Sequence, residues 1–182
     1  MSERMPAEIW IGGSIAPSLA VDLCEAIAQQ VVSAEWGDEV FRPDSAEDLL
    51  AMVKPNRDGV RVLWLCDDQA SWGRFDTLEP FLQQHKIPFT RLTAGRYEYD
   101  SERVEFRSDR GRVGYVTNAV GEPFISAAKI SEVESELSRI LTSTGKRSFK
   151  QLLATVQSVR GKLQQVLPPT VDPLPPFQIV VG

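Results

Sequence analysis

Leu63-Trp64-Leu65-Cys66-Asp67-Asp68 repeats, at a shift of 54 residues, the pattern of Ile9-Trp10-Ile11-Gly12-Gly13-Ser14. In each copy a tryptophan sits between two aliphatic residues, and a polar or glycine-rich break follows. With the same shift, Asp22 falls on Asp76, Glu25 on Glu79, Ile27 on Phe81 and Gln29-Gln30 on Gln83-Gln84, without a gap. The β-prone runs Glu35–Phe41 and Pro88–Leu92 close the first and second copies. The order strand, helix, strand therefore occurs twice. Two βαβ units side by side predict an α+β fold, a ferredoxin-like split βαβ sandwich, with the two tryptophan strands as central neighbours. The alternative is an open doubly wound α/β sheet, in which a short helix over residues 44–53 acts as a crossover.

Helix signals support this spacing. Pro17 suits a first helical turn, where a missing N–H costs nothing. Leu19, Leu23, Ile27 and Val31 then recur at helical spacing. Asp44 with Glu47, Asp76 with Glu79 and Ser131 with Glu134 each fit a capping box, an N-cap side chain with an acid three residues on. Beyond residue 92 the pattern changes to hairpins, with turns at Ala94-Gly95, Ser108–Gly111 and Gly121–Pro123 between Tyr97–Tyr99, Val104–Phe106, Val113–Thr117 and Phe124-Ile125. Two amphipathic helices follow, one marked by Val133, Leu137, Ile140 and Leu141. The other carries the stripe Phe149, Leu152, Leu153, Val156, Val159, Leu163 and Val166. The expected organisation is a sandwich core with added hairpins over 1–126, a helical pair packed on it over 127–166, and a proline-rich tail over 167–182.

Composition narrows the function classes. The chain has 182 residues, 42% apolar and 25% charged, as a folded domain requires. The net charge is −5, with +4 in residues 143–182 and −9 in the rest. An acidic body disfavours nucleic-acid binding, which depends on neutralising phosphates. No run reaches the length of a membrane span and the first residues lack a signal-peptide pattern, so a cytoplasmic protein without a membrane partner is expected. The single His85 and the widely spaced Cys24 and Cys66 do not make a zinc site. Neither a Walker A motif nor GxGxxG is present, so no cofactor is expected. Both cysteines lie in apolar runs and read as small hydrophobes.

Two constellations remain. If Ile9, Ile11, Leu63 and Leu65 face the helices, alternation sends Trp10 and Trp64 to the opposite, open face. There the 127–166 helices could cover them, a partner protein could dock, or single-stranded nucleic acid could stack. The second constellation is Asp67, Asp68 and Asp76, which could hold a hard cation for a metal-dependent hydrolase or nuclease. Strand-end and helix-cap roles explain the same residues. Trp72 and Arg74, beside the aspartates, are further candidate binding residues. So is Phe177, in a tail that could strap across its own domain or add a strand to a partner. The balance favours a non-catalytic binding or adaptor protein with a protein partner. The metal-dependent hydrolase and the single-strand binder using Trp10 and Trp64 are the alternatives.

Overall fold

The structure, a computed structural model, describes residues 3–96, 99–118, 120–142, 148–168 and 170–180. It is a mixed α+β chain with an antiparallel sheet and, among the described residues, five helices. The strands are β1 (Arg4–Ile11), β2 (Gly13–Ile15), β3 (Val53–Pro55), β4 (Arg61–Ser71), β5 (Phe89–Thr93), β6 (Ser101–Arg107), β7 (Gly111–Thr117) and β8 (Phe177–Ile179). The helices are α1 (Pro17–Gln30), α2 (Ala46–Ala51), α3 (Leu78–Gln84), α4 (Ala127–Thr142) and α5 (Phe149–Val166). The chain divides into two compact units. One runs to Glu122 and resumes at Val171; the other is Pro123–Thr170.

In the first unit six strands pair in the order β3-β4-β1-β5-β6-β7, each neighbour antiparallel. An open, doubly wound parallel sheet is therefore excluded. Trp10 and Trp64 stand directly opposite each other on β1 and β4, with Ile9 against Leu65 and Ile11 against Leu63. Since β1 lies between β4 and β5, these two strands run in the same direction, and α3 crosses from one to the other. Likewise β1 and β3 flank β4, and α1 and α2 lie in the connection between them.

One face of the sheet carries the core. Ile9, Ile11, Leu63, Leu65, Phe89, Val104 and Phe106 pack there against Leu23, Ile27, Leu49, Leu78 and Leu82 from the helices. Strand alternation supplies the apolar face, and the helical period supplies its cover. Beneath it a buried Arg91 is held by Glu79 at 3.3 Å, by Glu102, and by the Gly73 carbonyl at 2.8 Å. Its pairing matters, because an unpaired charge in such a place would be strongly destabilising. Gly73 cannot be replaced without strain. Its φ is +63°, and a Cβ there would lie 1.9 Å from the Thr93 methyl.

The C-terminal tail straps across this unit. Phe177 is buried in the core and β8 pairs in parallel with β2, while Gly13 N donates to the Pro176 carbonyl at 3.1 Å. A Cβ on Gly12 would come 2.1 Å from the Pro175 carbonyl oxygen, so glycine is what lets the strap approach the backbone. Phe177 is thus a core residue rather than a binding residue offered to a partner.

Several local expectations need correction. Residues 35–41 do not form a strand. Ser33 alone bridges to Val40 and Cys66, and Gly37 turns the chain at a φ of +78°, so β3 takes the edge beside β4. The cap of α2 is Ser45 with Asp48, one residue later than Asp44 with Glu47. Thr77, not Asp76, precedes α3, and its side chain makes no cap. The Gln30 side-chain oxygen, from the end of α1, instead accepts the Thr77 and Leu78 N–H groups at 2.7 and 3.1 Å. Asp22 lies inside α1 whereas Asp76 precedes α3, so the repeat does not hold through the helices. Ser131 is inside α4, whose first residue is Ala127, and Phe124-Ile125 is not a strand. Tyr97, Glu98, Lys146 and Arg147 lie outside the described residues.

The second unit is the helix pair α4 and α5. Val133, Ile140 and Val159 are its buried contacts, with Leu152 and Leu163 packed at their edge. Ser148 and Gln151 form a reciprocal capping box at the start of α5.

Candidate binding site

The sheet face opposite the core is where polar chemistry collects. Glu8, Trp10, Trp64, Thr90, Leu92, Arg103, Glu105, Arg107 and Tyr115 share it by register. The two tryptophans meet different fates. Trp64 is 9% exposed, with the Lys54 ammonium 3.8 Å from its ring centroid and the edge of Trp36 against it at 6.0 Å. Its indole N–H donates to the Glu8 carboxylate at 2.8 Å. Burial raises the pKa of Glu8 above its usual value, and that hydrogen bond opposes the shift only in part. Trp64 is thus nearly inaccessible and in contact with Lys54 and Trp36, and it does not offer an open stacking plate.

Trp10 instead borders a cavity of about 500 Å³. Thr90, Leu92, Arg103, Glu105 and Arg107 of the sheet line it beside Trp10, together with Arg57 and with Val171–Leu174 of the strap. This volume lies in the range of small-ligand and side-chain pockets. Two of the polar groups are fixed. Arg107 donates to the carbonyls of Asp172 (2.9 Å), Phe89 (2.8 Å) and Phe106 (3.0 Å), and to the Thr90 hydroxyl at 3.3 Å. Glu105 accepts from Arg103 at 2.9 Å and from the Tyr115 hydroxyl at 2.8 Å. Burial, with that bond second, pushes the Tyr115 phenol up to about 12. The Arg103 Nε is shielded and has no hydrogen-bond partner, while the side chain as a whole is 37% exposed. Arg57, exposed, donates to the Val120 carbonyl.

The remaining candidates are scattered. Asp67 accepts the Gln69 N–H at 2.8 Å and Asp68 accepts the Gly37 N–H at 3.1 Å, while Asp76 is exposed beyond the strand-end turn. Consecutive residues of a strand point to opposite faces. Accordingly, Asp67, Asp68 and Asp76 do not converge, and no group of three or more His, Cys, Asp or Glu among the described residues could hold a metal ion. Burial raises the Asp67 carboxyl pKa. Trp72, at a φ of +54°, lies edge-on to Tyr99 at 5.6 Å, and Arg74 is exposed in the same turn; neither lines the cavity.

Sequence patterning found Trp10 but missed Arg103, Glu105 and Arg107. Their signal was present: charged residues alternate with the core residues Val104 and Phe106 along β6. Alternation of that kind also describes a solvated strand face, and only the strap converts it into a cavity wall. Compared with known proteins, the chain matches no family model, no curated protein and no solved structure.

Proposed function

We propose that this protein is a binding protein whose open sheet face captures a segment of a partner protein in the Trp10–Arg103 cavity. The reading includes the fold: the strands β3-β4-β1-β5 form a ferredoxin-like split βαβ core, and β6-β7 extend it. What supports the fold is the strand order, with each parallel pair split by one antiparallel strand. What carries the function is one observation: Trp10 and Arg103, whose Nε has no hydrogen-bond partner, line the same cavity of about 500 Å³. A flat apolar surface formed by Trp10, Leu92 and Leu174 suits an aromatic or aliphatic side chain. Arg103 and Arg57 suit an adjacent carboxylate, which a guanidinium recognises with directional hydrogen bonds. Arg107 and Glu105 are already committed to fixed partners, so their contribution is shape.

Selection of displayed random peptides on the intact protein tests this. Enriched peptides should carry an acidic residue next to an apolar or aromatic one. Their binding should fall at least tenfold with Arg103→Gln or Trp10→Ala, the size of a central interface contact. Trp64→Phe should leave it unchanged. No enrichment, or peptides that bind these variants equally well, would sink the reading.

A further inference from the structure

The helix pair carries a second apolar surface that its own core does not use. Val133, Ile140 and Val159 are buried between α4 and α5, and Glu136 pairs with Lys162 along one flank of that contact. With about 3.6 residues per turn, Ile130 and Leu137 of α4 and Phe149, Leu153 and Val156 of α5 fall on the other flank. All five are exposed: 38%, 39%, 80%, 48% and 44% respectively. Two adjacent apolar stripes on one side of a short helix pair leave it half covered, and such a pair draws most of its stability from packing.

The charges say what fits there. α4 holds Glu132, Glu134 and Glu136 against Lys129 and Arg139, whereas α5 holds Lys150, Arg160 and Lys162 and no acid. On the apolar flank itself stand Glu134 of α4 and Arg160 of α5, both exposed. A surface with an acidic helix beside a basic one is complementary to itself after a two-fold rotation. We infer that the α4–α5 pair docks on a second copy of this chain to form a four-helix bundle. The basic helix of each copy lies over the acidic helix of the other. Helix pairs of this kind pack as antiparallel bundles with the apolar stripes at the centre.

Sedimentation velocity on the full chain, from sub-micromolar to high micromolar concentration, reads this directly. The monomer is 20.3 kDa, and the expected species at the upper end has twice that mass. Leu137→Gln with Leu153→Gln keeps good helix formers and should weaken dimerisation at least about tenfold. Glu134→Arg alone and Arg160→Glu alone should each weaken it, and the two together should restore it. That rescue separates a docking surface from a hairpin that has lost its fold. A wild-type chain that stays monomeric throughout overturns the inference and leaves the flank to another partner. So does a dimer that neither the glutamine pair nor the charge reversals disturb.

Discussion

Arg91 and Arg107 sit on adjacent strands of one sheet, both nearly inaccessible, and point to opposite faces. Arg91 lies on the core side between two carboxylates, Glu79 and Glu102, and a carbonyl. Arg107, on the face opposite the core, is held chiefly by three carbonyls and a hydroxyl, with the nearest Glu105 oxygen 3.7 Å away. Burial depresses the pKa of both, and neighbouring carboxylates oppose the shift in both. The difference lies in what a guanidinium does once buried. Beside carboxylates it locks α3 and the strand-end turn onto the sheet. Beside carbonyls it ties strap to sheet and stiffens the lining of a cavity.

The hardest way to break the comparison is on the core side. Arg91→Leu leaves the 8%-exposed Glu79 side chain with only the Phe75 N–H and the more distant Arg112 at 3.8 Å, and a loss of about 3 kcal/mol is expected from urea or thermal unfolding. Gly73→Ala attacks the same corner through the backbone. The clash with Thr93 and the positive φ should cost at least about 2 kcal/mol, and a much smaller loss would mean that the corner yields easily.

On the open side the effects are smaller and pH-dependent. Glu105→Gln should lower stability by about 1–2 kcal/mol, and it should also bring the Tyr115 phenol down from about 12 toward its ordinary 10.0. Ultraviolet titration of tyrosinate reads the second effect. In the wild type a phenol raised on folding favours the native state fully below pH 10.0, and this contribution is lost as pH rises from there toward 12. The variant should lose less over that window. The mildest change is Glu8→Gln, which keeps an acceptor for the Trp64 indole. The raised carboxyl pKa means that ionised Glu8 opposes folding near neutrality, so the variant should melt slightly higher there. Below about pH 4.5, where wild-type Glu8 is protonated, the two should converge. A gap that widens in acid would reverse the sign of the argument.

How much of this was legible in the residues depended on the range of the interaction. Ile9-Trp10-Ile11 and Leu63-Trp64-Leu65 announced neighbouring strands and their faces, because alternation is local. Pro17 marked a helix start for the same reason. The second strand of the first repeat failed at Trp36-Gly37, where a left-handed turn outweighs the β-prone residues around it. The α3 start was misplaced because its cap comes from Gln30, more than forty residues earlier. The cavity was the least legible part. Trp10, Arg103 and Asp172 meet only through the tertiary path of β1, β6 and the strap, and no window of sequence contains them together.

That path also has a temporal side. Gly13–Ile15 pair with Phe177–Ile179, which lie far later in the sequence. Contacts of such separation close late, because the entropy of joining distant segments must be met before they gain anything. Until that pairing forms, β2 lacks its partner strand and the Trp10 cavity lacks its Val171–Leu174 lining. The six-stranded sheet can thus form before the lining of the cavity beside it is complete.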